Sequence, residues 1–303
     1  MNNLLIAGCG DVALRTIPLL RGHYRLYALV RNPAYCSRLR NLGVTPILGD
    51  LDDRNSLSRI AGLADVVLHF APPTNAPPLS RGSREGLPLD TRTRHLLSAL
   101  SCGTLPRQLI YISTSGVYGD CGGNVVNETH SVNPQNSRAQ LRVSAENQIR
   151  TWAKRHQVNA GILRVPGIYS AERLPLERLR AGSPVIMAEQ DSYSNHIHAD
   201  DLARIVVAAL RRARPNRVYH AVDDDEMKMG DYFDVIADAF NLPRPPRLSR
   251  ADVQRAVSPV MWSFMNESRR LTNARMKREL KVALRYPTAV AALASVRSSK
   301  SSG

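Results

Sequence analysis

A chain of 303 residues with 43% hydrophobic and 22% charged content can bury a sizeable core, which excludes a disordered body. No run of apolar residues reaches the roughly 18 needed to cross a bilayer, so a membrane-spanning helix is excluded as well. The formal charge of +15 is almost wholly arginine: only Lys154, Lys228, Lys277, Lys281 and Lys300 are lysines, leaving 36 arginines among 41 cationic residues. Guanidinium suits bidentate grip on phosphate and carboxylate, so anionic partners including nucleotides are favoured. The same excess is also what a genome's base composition produces when it writes Arg in place of Lys. With aromatics at 5% and no interleaved basic and aromatic stripe, nucleic acid is not an expected partner.

In chain order, apolar runs bounded by turn residues predict strands at 3–8, 24–30, 44–48, 65–70, 107–113, 159–164 and 217–221. Helical periodicity begins near residues 11, 33, 55, 91, 135 and 200. This alternation predicts an α/β fold, a Rossmann-type doubly wound parallel sheet. Past residue 165 the alternation loosens, and 167–195 and 225–296 read as a smaller substrate lobe. The strand at 217–221, preceded by a helix over Asp201–Arg211, reads as a return to the main sheet. The expected division is therefore a dinucleotide-binding part over 1–166, joined again by 196–224, and a substrate lobe over 167–303. The polar tail 297–303 is expected to be disordered. Cys9, Cys36, Cys102 and Cys121 form no Cys-x-x-Cys pair and no metal spacing, so no metal and a reducing, cytoplasmic setting are expected. Leu5-Ile6-Ala7-Gly8-Cys9 matches a lipoprotein cleavage site only superficially, because no positive charge precedes it and the apolar run is short.

The first strand runs into Gly8-Cys9-Gly10-Asp11-Val12-Ala13, a Gly-x-Gly-x-x-Ala turn opening a helix. Gly8 permits the tight turn, Gly10 lets backbone approach a pyrophosphate, and Ala13 keeps the helix close to the strand. The unpaired N–H groups of the helix N-terminus suit phosphate. A purely structural glycine turn is the alternative. At the end of the second strand, where an acid would hold a ribose diol, the chain reads Arg31-Asn32. Arginine there attracts a 2′-phosphate, so NADP(H) is preferred over NAD(H). Otherwise Arg31 stacks on adenine or faces water.

Further segments carry a family likeness. Asp50 and Leu51 follow the third strand, and Phe70-Ala71-Pro72 follow the fourth. Tyr111-Ile-Ser113-Thr114-Ser-Gly-Val-Tyr118-Gly119 precedes Leu163-Arg-Val-Pro166-Gly-Ile-Tyr169, then Asn195-His-Ile-His-Ala-Asp-Asp-Leu202, Val218-Tyr-His-Ala-Val-Asp-Asp224 and Asn273-Ala-Arg-Met-Lys-Arg-Glu-Leu280. From residue 3 to about residue 287 the chain resembles the extended short-chain dehydrogenase/reductases, the NAD-dependent epimerase/dehydratase family, and more closely their atypical members. The resemblance implies that Asp50 contacts adenine and that Phe70, Ala71 and Pro72 line the cofactor. It also implies that Ser113 and Pro166 flank the nicotinamide end and that Thr114 is the catalytic Ser/Thr. Dimerisation through helices at 91–102 and 135–156 is implied in the same way.

In that family a Tyr-x-x-x-Lys pair stands on one helix face, where the Tyr exchanges a proton as hydride moves. This chain places Arg138 and Arg142 in that frame. Guanidinium does not release its proton in proteins, so Arg138 cannot replace the phenol. Arg142 can take over the ribose-binding charge of the Lys. Arg138 can clamp an anionic substrate or stabilise charge on a carbonyl oxygen, or both arginines can be surface residues of the helix. Tyr118 and Tyr169 are the phenols to examine as donors; Tyr118 joins Thr114, Arg138 and Arg142 as a candidate catalytic residue. His198 titrates in a useful range, although orienting the loop before a helix that Asp200 could cap is its alternative role. In the long loop 71–90, Arg81 and Arg84 could reach an anionic substrate or simply solvate a flexible segment. Two readings remain: an NADP(H)-dependent oxidoreductase or epimerase-like enzyme acting on an anionic small molecule such as a nucleotide-sugar, and a non-catalytic NADP(H)-binding sensor.

Overall fold

The computed structural model describes residues 1–74 and 88–300. Its centre is a seven-stranded sheet made of β1 (Asn2–Ala7), β2 (Tyr24–Val30), β3 (Val44–Leu48), β4 (Val66–His69), β5 (Gln108–Thr114), β6 (Asn159–Val165) and β7 (Arg217–His220). The strands lie in the order β7-β6-β5-β4-β1-β2-β3, and every neighbouring pair is parallel. The chain moves outward from β1 to β3 and then crosses back to β4 on the other side of β1. That reversal opens a crevice at the carboxyl ends of β1 and β4, where doubly wound folds bind ligands.

Both faces of the sheet are covered, which explains the near-continuous apolar runs of its strands. Leu4 and Ile6 point to one face, packing with Ile17 and Leu20 of α1 (Asp11–Leu20). Leu5 and Ala7 point to the other, in one cluster with Leu96 of α2 (Thr91–Leu100) and Ile149 and Trp152 of α3 (Ser137–His156). Each such side chain, fully buried, is worth about 1.5–3 kcal/mol, so the sheet edge that carries the site rests on a rigid base. A separate cluster of Tyr169, Leu179, Val185, Tyr232, Phe233 and Ile236 forms the core of the smaller lobe. Short strand pairs stitch that lobe to the rest: His196–His198 beside Gly167–Tyr169, and Arg270–Leu271 beside Val125–Val126.

The expected strands are present within one or two residues, and β7 joins the main sheet as anticipated. Several helical expectations are corrected. The segment expected to be helical from 55 is a 3₁₀ turn over Arg54–Ile60, because Asp53 accepts from Asn55 N at 3.0 Å and Ser56 bonds back to Asp50 and Asp53, tightening it. Helix α3 starts at Ser137 because Asn136 caps it, accepting from Ala139 N at 2.9 Å. His198, not Asp200, caps the helix Ala199–Arg212: its Nδ1 accepts from Asp200 N at 3.2 Å, while Asp200 is drawn to Arg15 at 2.6 Å. The tail expected to be disordered from 297 is helical as far as Lys300. Arg81 and Arg84 lie outside the described residues.

Candidate functional site

The glycine turn explains itself sterically. Gly8 sits at φ +101, and a Cβ there would lie 2.4 Å from Ala71 N, so only glycine lets the loop after β4 press against the end of β1. The loop is tied there by Phe70 N and Ala71 N, which both donate to Ala7 O. At Gly10 a Cβ would meet nothing within 4 Å, which leaves open space beside the turn. Gly10 caps α1 without a side-chain bond, so among the described residues no side chain caps the first N–H groups of the helix. Val12 and buried Ala13 belong to the helix and its packing, whereas Asp11 pairs with Arg15 at 3.0 Å. Residues Gly8, Cys9, Arg31, Asn32, Asp50, Leu51, Ala71 and Pro72 line one cavity of about 290 Å³. A Gly cradle, an uncapped helix N-terminus and a cavity bounded by the turns after β1, β2, β3 and β4 fit a dinucleotide. Burial pushes the Cys9 thiol up to about 12, so it is a wall of the cavity rather than a nucleophile.

Two wall residues were not anticipated from the sequence. Tyr35, 47% exposed, stands one turn beyond Arg31 and Asn32. Arg92 donates to both carboxylate oxygens of Asp52 at 2.8 and 2.6 Å and to Pro72 O at 3.2 Å, clamping the turns after β3 and β4 together. No local motif marks Arg92, because its partners lie about 20 and 40 residues away. Arg31 is 71% exposed, and its nearest acid is Asp50 at 4.0 Å, leaving the guanidinium free to turn toward a ligand.

At the other end of the crevice, Arg142 reaches inward from α3. Its Nη1 donates to Ile112 O at 2.7 Å, to the Tyr111 hydroxyl at 2.9 Å and to Ala71 O at 3.5 Å, so the position expected for Lys touches the wall of the dinucleotide cavity. Burial, outweighing the nearby Arg142 cation, pushes Tyr111 up to about 12, so this phenol stays protonated. Thr114 ends β5 half-buried, and its hydroxyl oxygen accepts from Gly116 N at 3.2 Å. Arg138, one turn before Arg142, lies with its guanidinium carbon 4.3 Å from the centre of the Phe264 ring.

The side chains of Tyr118, Tyr169 and Ser113 are engaged or enclosed within the fold. Tyr118 is 1% exposed. His220 donates from Nδ1 to Thr272 O at 3.0 Å, which leaves Nε2 as an acceptor for the Tyr118 hydroxyl at 2.6 Å. Arg164 donates to the same hydroxyl oxygen at 2.7 Å, so the phenol is consumed by a buried network. Tyr169 is also buried, and burial followed by the Asp223 carboxylate drives its pKa upward. Ser113 does not offer its hydroxyl to a cofactor, because it donates to Glu146 Oε1 at 2.6 Å. Glu146 is gripped at the same time by Arg164 at 3.1 and 2.7 Å, a buried bidentate pair that pins α3 to β6. Pro166 lies half-buried where β6 passes into the strand Gly167–Tyr169. Among the described residues, no group of three or more His, Cys, Asp or Glu could hold a metal ion, and no helix is long and apolar enough to cross a membrane.

Residues 15–222 match the family described as NAD dependent epimerase/dehydratase. Human dTDP-D-glucose 4,6-dehydratase is 21% identical over 245 residues, 75% of this chain and 70% of that protein. A conserved Silicibacter pomeroyi protein of unknown function superposes with a TM-score of 0.76 at 26% identity, covering 99% of both chains. The dTDP-glucose 4,6-dehydratase DesIV of Streptomyces venezuelae, solved with NAD and TYD bound, gives a TM-score of 0.76 at 18% identity over 99% of this chain and 97% of that one, a likeness of fold. With the crevice, the glycine cradle and a match over more than half its length, the chain belongs to the NAD dependent epimerase/dehydratase family.

Proposed function

We propose that the protein is an NADP(H)-dependent oxidoreductase or epimerase-like enzyme of the atypical extended type, acting on an anionic small molecule such as a nucleotide-sugar. The observation that carries the reading is Arg142, whose Nη1 bridges the end of β5 and the cavity wall at Ala71 from the place of the family's Lys. A bound nicotinamide supplies or accepts hydride. The uncapped N-terminus of α1 and the Gly8 turn hold the phosphates, and Arg31 selects the 2′-phosphate by charge-assisted hydrogen bonding. Arg142 contributes fixed positive charge beside the nicotinamide ribose, and Thr114 presents a hydroxyl to the substrate oxygen. With Tyr118 and Tyr169 buried, the proton comes from neither phenol. In this reading 1–166 and 196–224 carry the cofactor and the remaining segments close over the substrate. Free cysteines among the described residues support a reducing, cytoplasmic setting, and pairing of two copies through α2 and α3 belongs to the same reading.

Titration with both cofactors, followed by a panel of carbonyl and nucleotide-sugar substrates, tests this. Tighter NADPH than NADH binding with turnover of at least one substrate is expected; equal affinity removes the phosphate reading, and no turnover across a broad panel favours the alternative. That alternative is a non-catalytic NADP(H)-binding sensor, and the burial of both phenols is the observation in its favour. Activity conferred by Arg138→Tyr with Arg142→Lys on an inert wild type would select it.

A further inference from the structure

Arg138, on α3, makes no side-chain hydrogen bond or ion pair among the described residues, and its guanidinium carbon sits 4.3 Å from the Phe264 ring centre. The acid nearest to satisfying it is already used: Glu267 accepts from Asn136 Nδ2 at 3.2 Å and from Arg269 Nη1 at 2.7 Å. Phe264 belongs to the short helix Pro259–Met265, which is anchored from behind by buried Met265 and by Arg250, donating to Asn266 O at 2.7 Å. Its outward side nevertheless leaves Phe264 46% and Val260 66% exposed. A cation from α3 therefore meets an aromatic ring from the other lobe, one turn from Arg142, which reaches the cavity wall at Ala71.

A guanidinium held by an aromatic ring keeps its N–H donors at its edge, where they match the paired oxygens of phosphate or carboxylate. The ring contact contributes about 0.5–1 kcal/mol at an exposed place and restrains a side chain that would otherwise lose rotamer freedom on binding. We propose that Arg138 and Phe264 form an anion-receiving subsite that determines substrate specificity. Arg138 takes a phosphate or carboxylate of the ligand, and the exposed faces of Phe264 and Val260 receive a flat or apolar group beside it. This rests on the reading of the crevice as the substrate site. It assigns Arg138 to binding rather than to charge stabilisation at the reacting carbonyl.

Trp262 lies on the same short helix and reports on it by fluorescence, in a Trp152→Phe background that silences the other tryptophan. The full chain is titrated with UDP, benzoate and uridine, with and without NADPH, and calorimetry repeats each titration. UDP or benzoate is expected to bind, and whichever does identifies the anion as phosphate or carboxylate. Arg138→Gln should weaken that ligand about 10- to 100-fold while leaving NADPH affinity unchanged, as loss of a charge-assisted hydrogen bond predicts. Arg138→Lys should recover only part of the loss, and Phe264→Leu should weaken the anion about 3- to 10-fold. The proposal is overturned if neither anion binds, if Arg138→Gln binds the anion as well as wild type does, or if Arg138→Lys restores full affinity. Failure of NADPH to bind would count against the dinucleotide reading alone, because the anion titrations are also run without it.

Discussion

The dinucleotide end of the crevice and the α3 end rise from the same sheet edge, but their geometry is held in different ways. At the first, backbone does the work: Gly8 at φ +101 lets Ala71 approach, and the ligand-facing groups are N–H donors of a helix start. At the second, side chains do it, through the buried Arg164–Glu146 pair, the Tyr118–His220 contact and Arg142 on Ile112 O. Backbone architecture tolerates almost any side chain that stays out of the way. A side-chain network is more exacting, because each member is fixed by a partner from another element, as Glu146 is by Arg164 and Ser113.

The sharpest way to break this comparison is Glu146→Ala, which strands Arg164 in the core and leaves Ser113 without its acceptor. A loss of about 3–5 kcal/mol is expected from chemical denaturation, with a smaller loss for Glu146→Gln. A drop below about 1 kcal/mol would show that α3 is not held by this pair. Next in size is Gly8→Ala, whose methyl cannot fit against Ala71 N. We expect about 3 kcal/mol of destabilisation and no measurable NADPH binding by calorimetry. Normal binding would mean that the loop after β4 yields more easily than its contacts indicate.

Arg31→Ala probes the cofactor end more gently. It should cost NADPH about 10- to 100-fold in affinity and NADH little, as expected for one charge-assisted contact; equal losses would remove its role in selection. The smallest effect is a pH slope beneath the smaller lobe. Burial raises the Asp223 carboxyl from 3.8 to about 8, so between those values the folded chain holds a proton that the unfolded chain has lost. Its contribution to stability therefore falls as pH rises through that window and levels off above it, by at most about 1.4 kcal/mol per pH unit. Burial lowers His69, His196 and His220 from 6.5 to about 3, and these act in the opposite sense, losing stability as pH falls below about 6.5. Denaturation midpoints at pH 7.0 and 8.5 separate the two effects. Wild type should weaken between them and Asp223→Asn should not; a parallel decline in both would assign the slope elsewhere.

Much of the cofactor end was legible in the chain itself, because a strand, a Gly-x-Gly-x-x-Ala turn and a helix are contiguous and their chemistry is local. The same holds for Arg31 and Asp50, each placed by the end of a strand. Arg92 was not legible: it acts by joining turns distant in sequence. Tyr118 was only partly legible for a related reason, since the pattern around it marks a segment but not the direction of its side chain. The sense of that side chain was decided by His220 and Arg164, contributed by β7 and β6.

What the sequence determined by itself was therefore the alternation of elements, the glycine turn that opens a helix and two permanent cations four residues apart, Arg138 and Arg142, all consequences of local periodicity or of residue chemistry. Only the tertiary structure decided which groups are spent. Hydrogen-bonding capacity is finite, and a buried partner from a distant strand consumes it: Tyr118 and Ser113 are occupied, Arg142 is anchored at the cavity wall, and Arg138 rests on Phe264 with no side-chain hydrogen bond among the described residues.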